Sequence, residues 1–202
     1  MYRILIADDE GLMLEAFKGV ILAEFGDKCS VETAKTGRAV IEKAETFHPD
    51  IVFMDICMPE MDGLAMIAAI HSQFPDLEVC VLTGYRDFEY AKEAIRLGVT
   101  RFLLKPSNMD ELEEAIGKMC GNLNRKGITG DEPKRDPQDE EAAEAHKESA
   151  SSSFIVKNAL TYIEENYTKK LTLCEVAEKT YVSQWHLSKL LNRHTGQSFS
   201  DI

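Results

Sequence analysis

Two textures of hydrophobic patterning alternate along the first part of the chain. Short, nearly solid apolar runs are separated by longer stretches with helical spacing. The runs are Tyr2-Arg3-Ile4-Leu5-Ile6-Ala7, Val31 to Ala34, Ile51-Val52-Phe53-Met54, Glu78-Val79-Cys80-Val81-Leu82 and Arg101-Phe102-Leu103-Leu104. They are too short for buried helices and end in turn signals, which fits strands buried on both faces. Between them, Leu14, Phe17, Ile21 and Phe25 mark a helix from about Leu12 to Phe25 that Gly26 stops, and Val40, Ala44 and Phe47 mark one over Gly37 to Phe47. A third, rich in alanine and methionine, spans Leu64 to about Phe74. A fourth runs Phe88 to Leu97 and ends at Gly98; a fifth runs Asn108 to about Leu123, with Asn108 as its cap and Leu112, Ala115, Ile116 and Met119 facing inward. Five strand-helix pairs in succession predict an α/β doubly wound parallel sheet in the order 2-1-3-4-5, with its switch point between the first and third strands.

Between Gly121 and Ser153 the periodicity fades into a charged stretch with Pro133, Pro137 and the triplet Ser151-Ser152-Ser153, which reads as a mobile tether. Order returns at Phe154. Val156, Leu160, Ile163 and Tyr167 recur at helical spacing, Thr172 and Glu175 form a capping box for a second helix, and Leu173, Val176 and Ala177 make its inner face. After a turn at Thr180-Tyr181-Val182, Ser183 caps a third helix with Leu187, Leu190 and Leu191 inside. The resulting division is 1–123, a linker over 124–153, and a small all-α unit over 154–202. Two short helices around a tight turn make a helix-turn-helix candidate, although on spacing alone such a unit is as often a plain helical hairpin.

The chain has 202 residues and a net charge of −12. The acidity sits in front: residues 1–121 carry 12 basic against 22 acidic side chains, and residues 154–202 carry 6 against 5. An acidic front surface does not seek nucleic acid, so any DNA contact falls to the tail. With no signal peptide and no membrane-length apolar run, no membrane association is expected and a cytoplasmic location is the default. The five cysteines (29, 57, 80, 120 and 174) lack C-x-x-C spacing and fit reduced, mostly buried thiols.

The chemistry gathers where the strands end. Asp8-Asp9 follow the first strand, Asp55 the third, Thr83 the fourth and Lys105 the fifth. In a parallel sheet these ends share one edge, the edge at which open α/β sheets bind ligands. Singly, each residue has a plain reading: Asp8 or Asp9 as a helix cap, Asp55 as a turn former before Met58-Pro59, Thr83 before Gly84 as a turn residue, Lys105 as a solvated ammonium. Together they suit a divalent cation and a transferred phosphoryl group. Two carboxylates about 4 Å apart repel by roughly 4 kcal/mol at an effective dielectric of 20, so three of them need protons or a bound cation. Mg²⁺ is the expected occupant.

Asp8-Asp9, the run D-I-C-M-P-E-M-D-G from Asp55, T-G-Y from Thr83 and F-L-L-K-P from Phe102 closely resemble the receiver domain of two-component response regulators, over residues 1 to about 120. The resemblance implies a flavodoxin-like (βα)5 receiver in which Asp55 accepts a phosphoryl group from a sensor histidine kinase. Asp8, Asp9, Asp55 and the backbone carbonyl of Cys57 would hold Mg²⁺. Thr83 and Lys105 would contact the phosphoryl oxygens, and Phe102 matches the aromatic switch position that moves with Thr83. The Lys105-Pro106 bond would be cis. The implied protein is a phosphoacceptor rather than an enzyme, with at most slow self-dephosphorylation, and a homodimer on phosphorylation would form around the fourth and fifth helices.

The stretch from Leu171 to Phe199 resembles the first helix-turn-helix of the AraC-type DNA-binding domain, as found in YesN-like regulators. By that resemblance the helix from Ser183 to His194 would enter the major groove. Trp185, Ser188 and Lys189 would take base-facing positions, while Gln184, Asn192 and Arg193 would reach bases or phosphates. The plain alternatives are a surface aromatic packed on the preceding helix for Trp185 and a solvated basic face for Lys189 and Arg193. His186 and His194 have no partners at metal-ligand spacing, so no zinc site is expected. AraC-type domains carry two helix-turn-helix units, and the sequence ends at Ser200-Asp201-Ile202 where the joining helix should begin. Binding to DNA by the single unit is therefore expected to be weak. The leading expectation is a phosphorylation-controlled regulator of transcription. The alternative is a phosphoacceptor whose output is protein interaction, with a tail that does not read DNA specifically. An aspartyl-phosphate hydrolase of the haloacid-dehalogenase kind needs D-x-D, and residue 57 is Cys.

Overall fold

The apolar runs form the strands expected of them. In the computed structural model, which describes residues 1–58, 62–84, 88–105, 109–128, 150–167 and 171–202, the strands are Tyr2–Ala7 (β1), Cys29–Ala34 (β2), Ile51–Asp55 (β3), Glu78–Thr83 (β4) and Arg101–Leu104 (β5). They make one parallel sheet in the order β2-β1-β3-β4-β5. Every residue of β3 is buried, as befits its central place. The helices of this part are Gly11–Phe25 (α1), Gly37–Phe47 (α2), Gly63–Gln73 (α3), Phe88–Arg96 (α4) and Met109–Arg125 (α5). Asn108 and Pro106, to which a cap and a cis bond were assigned, lie outside the described residues.

Strand alternation sorts the core onto two sides of the sheet. Ile4, Ile6, Ile51, Phe53, Cys80, Leu82 and Leu103 pack with Leu14 and Ile21 of α1 and with Leu112, Ala115, Ile116 and Met119 of α5. Phe17 meets Phe53 edge-on, with ring centroids 5.2 Å apart. Leu5, Val52, Met54, Val79 and Val81 face the other way, toward α2, α3 and α4.

Local signals set the helix ends. Thr36 caps α2 by accepting from Ala39 N, and Asp62 caps α3 by accepting from Leu64 N and Ala65 N, which stabilises a helix start by about 1 kcal/mol each. Gly63 is required sterically: a Cβ there would lie 2.6 Å from the Tyr90 hydroxyl and 3.0 Å from the Ile56 carbonyl oxygen. The loop leaving β3, the start of α3 and α4 thus meet where only a hydrogen fits.

The tail holds Ala150–Asn166 (α6), Leu173–Lys179 (α7) and Gln184–Thr195 (α8). The capping box of Thr172 and Glu175 is formed, Ser183 accepts from His186 N, and Val176, Ala177, Leu187, Leu190 and Leu191 are buried. Tyr181, in the turn between α7 and α8, adopts φ 57°, a left-handed conformation that glycine usually supplies.

Two expectations need correction. The tether was placed over 124–153, but α5 runs to Arg125 and α6 begins at Ala150, so Ser151, Ser152 and Ser153 are helical. The Ser151 hydroxyl bonds the Leu97 carbonyl oxygen at 3.4 Å, a partner that sequence spacing does not reveal. The cysteines are less uniformly buried than expected: Cys29 and Cys80 are buried, Cys57 and Cys174 are exposed, and all five are free thiols.

The tail also packs on the sheet's α3 side. Every residue of α3 from Ala65 to Ile70 is buried, because its inner face meets the sheet and its outer face meets α6. Ile155, Val156 and Ala159 of α6 join the same apolar cluster as Ile67 and Ile70. A helix apolar on all sides needs cover on both, and α6 supplies the second. Among the described residues, no helix is long and apolar enough to cross a membrane.

His71, on α3, provides a test of this packing. Burial, then the charge of Lys126, push its imidazole down to about 4, while Glu78 opposes them. An unfolded histidine titrates near 6.5, so between about pH 6.5 and 4 the unfolded chain binds a proton that the folded chain does not. Stability is therefore expected to fall with pH through that window, by roughly 3 kcal/mol in full. Chemical denaturation at a series of pH values, repeated with His71→Gln, checks this: the variant should lack that part of the slope.

Candidate phosphoryl and cation site

The parallel register brings the ends of β1, β3, β4 and β5 to one edge. Asp55 is the last residue of β3 and pairs with Leu82; Thr83 is the last of β4 and pairs with Leu104. Backbone bonds hold the residues beyond the strands: Asp8 N donates to Ala34 O at 3.1 Å, and Lys105 N to Thr83 O at 2.8 Å. Asp8, Asp55 and Thr83 are buried to within a few per cent, and Asp9 is exposed.

Each buried carboxylate divides its oxygens in the same manner. Asp55 Oδ1 accepts from Cys57 N at 2.9 Å, and Asp8 Oδ1 accepts from Glu10 N at 2.9 Å. Both Oδ2 atoms accept from Lys105 Nζ, at 2.6 Å from Asp55 and 2.5 Å from Asp8. One ammonium thus bridges two carboxylates contributed by the ends of two neighbouring strands, β1 and β3. Burial alone would lower the pKa of Lys105, but the hydrogen bonds to Asp55 and Asp8 outweigh it and raise the value, so the bridge is cationic.

Asp8, Asp9 and Asp55 can each offer an oxygen such that all three lie within 4.8 Å of one another. Oxygens around a six-coordinate Mg²⁺ with bonds of about 2.1 Å lie about 3 to 4.2 Å apart, so a small inward movement would complete three corners of such a shell. The all-oxygen, all-acidic donor set fits a hard divalent cation.

The structure places the remaining residues as follows. The hydroxyl of Thr83 shares a hydrogen bond with the Cys57 thiol. Burial first and the Asp55 charge second hold that thiol above its ordinary pKa. Phe102 sits on β5, half-buried against the α2–α4 side of the core, with Val81 as its strand partner. Gln184, Trp185, Lys189, Asn192 and Arg193 are exposed on α8, and Ser188 is half-buried beside them. They occupy one broad face of α8, apart from the strand-end cluster. Trp185 is 64% exposed with Lys189 Nζ 4.9 Å from its ring centroid, so it does not pack on the preceding helix as its plain reading would have it.

One residue took on a role that sequence reasoning missed. His186, left without a partner, shares a hydrogen bond of 2.7 Å between its Nε2 and Ser72 Oγ on α3. The discoverable signal was the alanine-rich outer face of α3, which implied cover from elsewhere in the chain.

A parallel β2-β1-β3-β4-β5 sheet with an acidic triad and a lysine at its carboxyl edge defines a receiver-type fold. The profile of the response regulator receiver domain matches residues 4–117, more than half of the sequence, and the chain belongs to that family. Among curated proteins, it is 37% identical over 128 residues to the uncharacterized transcriptional regulatory protein YesN of Bacillus subtilis, a match covering 63% of this chain and 35% of YesN. It is 26% identical over 203 residues to the transcriptional regulatory protein HptR of Staphylococcus aureus, covering 100% of this chain and 78% of HptR. Among solved structures, the receiver domain of AraT, a response regulator from Geobacillus stearothermophilus, is 35% identical with a TM-score of 0.55, covering 62% of this chain and 98% of that one. A CheY-like receiver domain protein from Methanospirillum hungatei is 27% identical with a TM-score of 0.57, over 62% of this chain and 98% of that one.

The bridge makes a direct prediction. Lys105→Met leaves Asp8 and Asp55 facing each other without their cation, and in metal-free buffer it should lower stability by about 2 kcal/mol. Added Mg²⁺ should restore more stability to this variant than to the native chain, as read by thermal denaturation with and without the ion.

Proposed function

We propose that the chain is a phosphorylation-controlled response regulator that accepts a phosphoryl group on Asp55 from a sensor histidine kinase and regulates transcription through its AraC-type tail. The observation that carries the reading is the Lys105 bridge between Asp8 and Asp55, with Asp9 and Thr83 at the same sheet edge.

In this reading Asp55 Oδ2 attacks phosphorus in line with the departing histidine nitrogen. The P–N bond breaks as the P–O bond forms, and the imidazole leaves with its proton. Asp8, Asp9, Asp55 and the Cys57 carbonyl would hold Mg²⁺, which when bound would neutralise charge on the phosphoryl oxygens. Lys105 gives up its contact with Asp55 Oδ2 and donates to a phosphoryl oxygen instead. Thr83 turns its hydroxyl from Cys57 toward the new acceptor, and Phe102 follows into the space vacated. That movement biases the face around α4 and α5, where Ile95 is 64% and Leu104 39% exposed, toward a second copy of the chain.

For the tail, the support is the exposed face of α8. Gln184, Trp185, Ser188, Lys189, Asn192 and Arg193 are offered to bases and phosphates, and the helix holds no carboxylate. The protein acts in the cytoplasm, where kinase and DNA are both present.

The first test is chemical. Incubation with a small phosphodonor such as acetyl phosphate and Mg²⁺ should add one phosphoryl group, detectable by intact mass. Chelation of the metal should abolish the addition, as should Asp55→Asn; persistence in that variant would rule out this acceptor. The second concerns the tail. Arg193→Ala and Lys189→Ala should each weaken binding to a DNA duplex and reduce the slope of log K against log salt by about one. A chain that forms no sequence-selective complex at low salt, phosphorylated or not, would leave protein interaction as the output.

A further inference from the structure

The acidic receiver and the reading helix are held side by side. Ser72 bonds His186 on α8, Gln73 Nε2 lies 3.5 Å from the Tyr181 carbonyl oxygen in the turn before α8, and Ser151 on α6 bonds Leu97. By helical spacing Ser72 shares its face of α3 with Ala65, Ala68 and Ala69, all buried, and small side chains there let α6 approach closely. The tail and the α3 side of the receiver share one continuous apolar cluster.

The reading face of α8 nevertheless remains open in this arrangement. Gln184, Trp185, Lys189, Asn192 and Arg193 are exposed while His186, on the same helix, is turned to α3. Docking therefore does not cover the residues that would meet DNA. It does keep them next to a body carrying 22 acidic against 12 basic side chains over residues 1–121, whereas α8 itself carries Lys189 and Arg193 and no carboxylate.

We propose that the outer face of α3 is a seat for α6–α8 that restrains DNA binding electrostatically, by holding the acidic receiver beside the reading helix, and not by masking it. The proposal rests on the DNA-reading role given to α8 above. The repulsion acts between the receiver's carboxylates and DNA phosphates over a Debye length of about 10 Å at 0.1 M salt, so it fades as salt rises. A steric mask would persist at any salt.

Three variants of the full chain, titrated by fluorescence anisotropy against a mixed-sequence DNA duplex, test this. Ala68→Gln enlarges the alanine face without changing charge and should release the tail, seen as faster amide hydrogen exchange in α6 with the strands unchanged. Asp76→Lys alters an exposed residue three positions from Gln73 and leaves the seat intact. Glu24→Lys makes the same charge change on α1, on the opposite side of the sheet. At about 50 mM salt the first two should bind DNA about tenfold more tightly than the native chain, with Glu24→Lys much less affected, and the differences should close by about 200 mM. Equal binding by Ala68→Gln and the native chain, with exchange confirming release, would overturn the proposal. So would a gain from Glu24→Lys matching that from Asp76→Lys. Should Ala68→Gln lose protection in its strands, the two charge variants decide. Failure of every chain to bind at low salt would instead remove the DNA-reading role, and this restraint with it.

Discussion

Lys105 reaches between Asp8 and Asp55, and most of the architecture serves to bring those three side chains together. Asp8 lies 97 positions and Asp55 50 positions from Lys105. Their meeting requires β1, β3 and β5 to run parallel, with the carboxyl ends level and the central strand buried deeply enough to fix Asp55. Two carboxylates at this separation are stable only with positive charge between them. Lysine supplies it from within the chain. A cation at Asp8, Asp9 and Asp55 would supply it from outside, and the acidic triad is then relieved of its dependence on Lys105. The same electrostatic need that holds the site together makes Lys105 available for a new anionic partner.

The fold was legible because its signals are short-range. Four-residue apolar runs ending in turn residues identify the strands, and spacing of three and four identifies the helices. The order of the sheet followed from the chirality and economy of β-α connections. The carboxylate cluster was legible for the same reason: once strands are parallel, the residue after each strand is placed without knowledge of side-chain geometry. The Thr83–Cys57 bond was not legible, since it depends on a rotamer. Nor was the partnership of His186 with Ser72, which spans 114 positions and two separately folded patterns. The helicity of Ser151, Ser152 and Ser153 was hidden by composition, because three consecutive serines disfavour helix until burial of Ser151 and its bond to Leu97 offset the propensity.

At the other end of the sheet, polar groups are used for closure and not for chemistry. Glu78 is buried but accepts from Thr100 at 2.6 Å, Asn122 at 2.8 Å and Lys126 at 3.1 Å. Burial would raise its pKa; the bonds from Thr100, Asn122 and Lys126 outweigh that and lower it. Asp50 likewise accepts from Arg3 N at 2.7 Å. These carboxylates are met by donors from within the chain. The triad at the carboxyl edge differs in having Asp9 exposed and three acidic groups around one ammonium, and that imbalance is what makes it a candidate binding site.

α3 joins these two levels of organisation. Its first residue, Gly63, abuts both the loop leaving Asp55 and Tyr90 of α4, where even a methyl group would collide. Met58 from that loop is buried in the same cluster that extends through α3 to Ile155 and Val156 of α6. A displacement at Cys57, whose amide holds Asp55 Oδ1, is therefore transmitted into close-packed neighbours instead of being absorbed by solvent. Because the far face of α3 carries the tail, a change in the charge on Asp55 and a change in how the tail sits draw on the same packed element. Free-energy linkage then runs both ways: whatever state of the carboxylate site favours one seating of α6, that seating must favour the same state of the site.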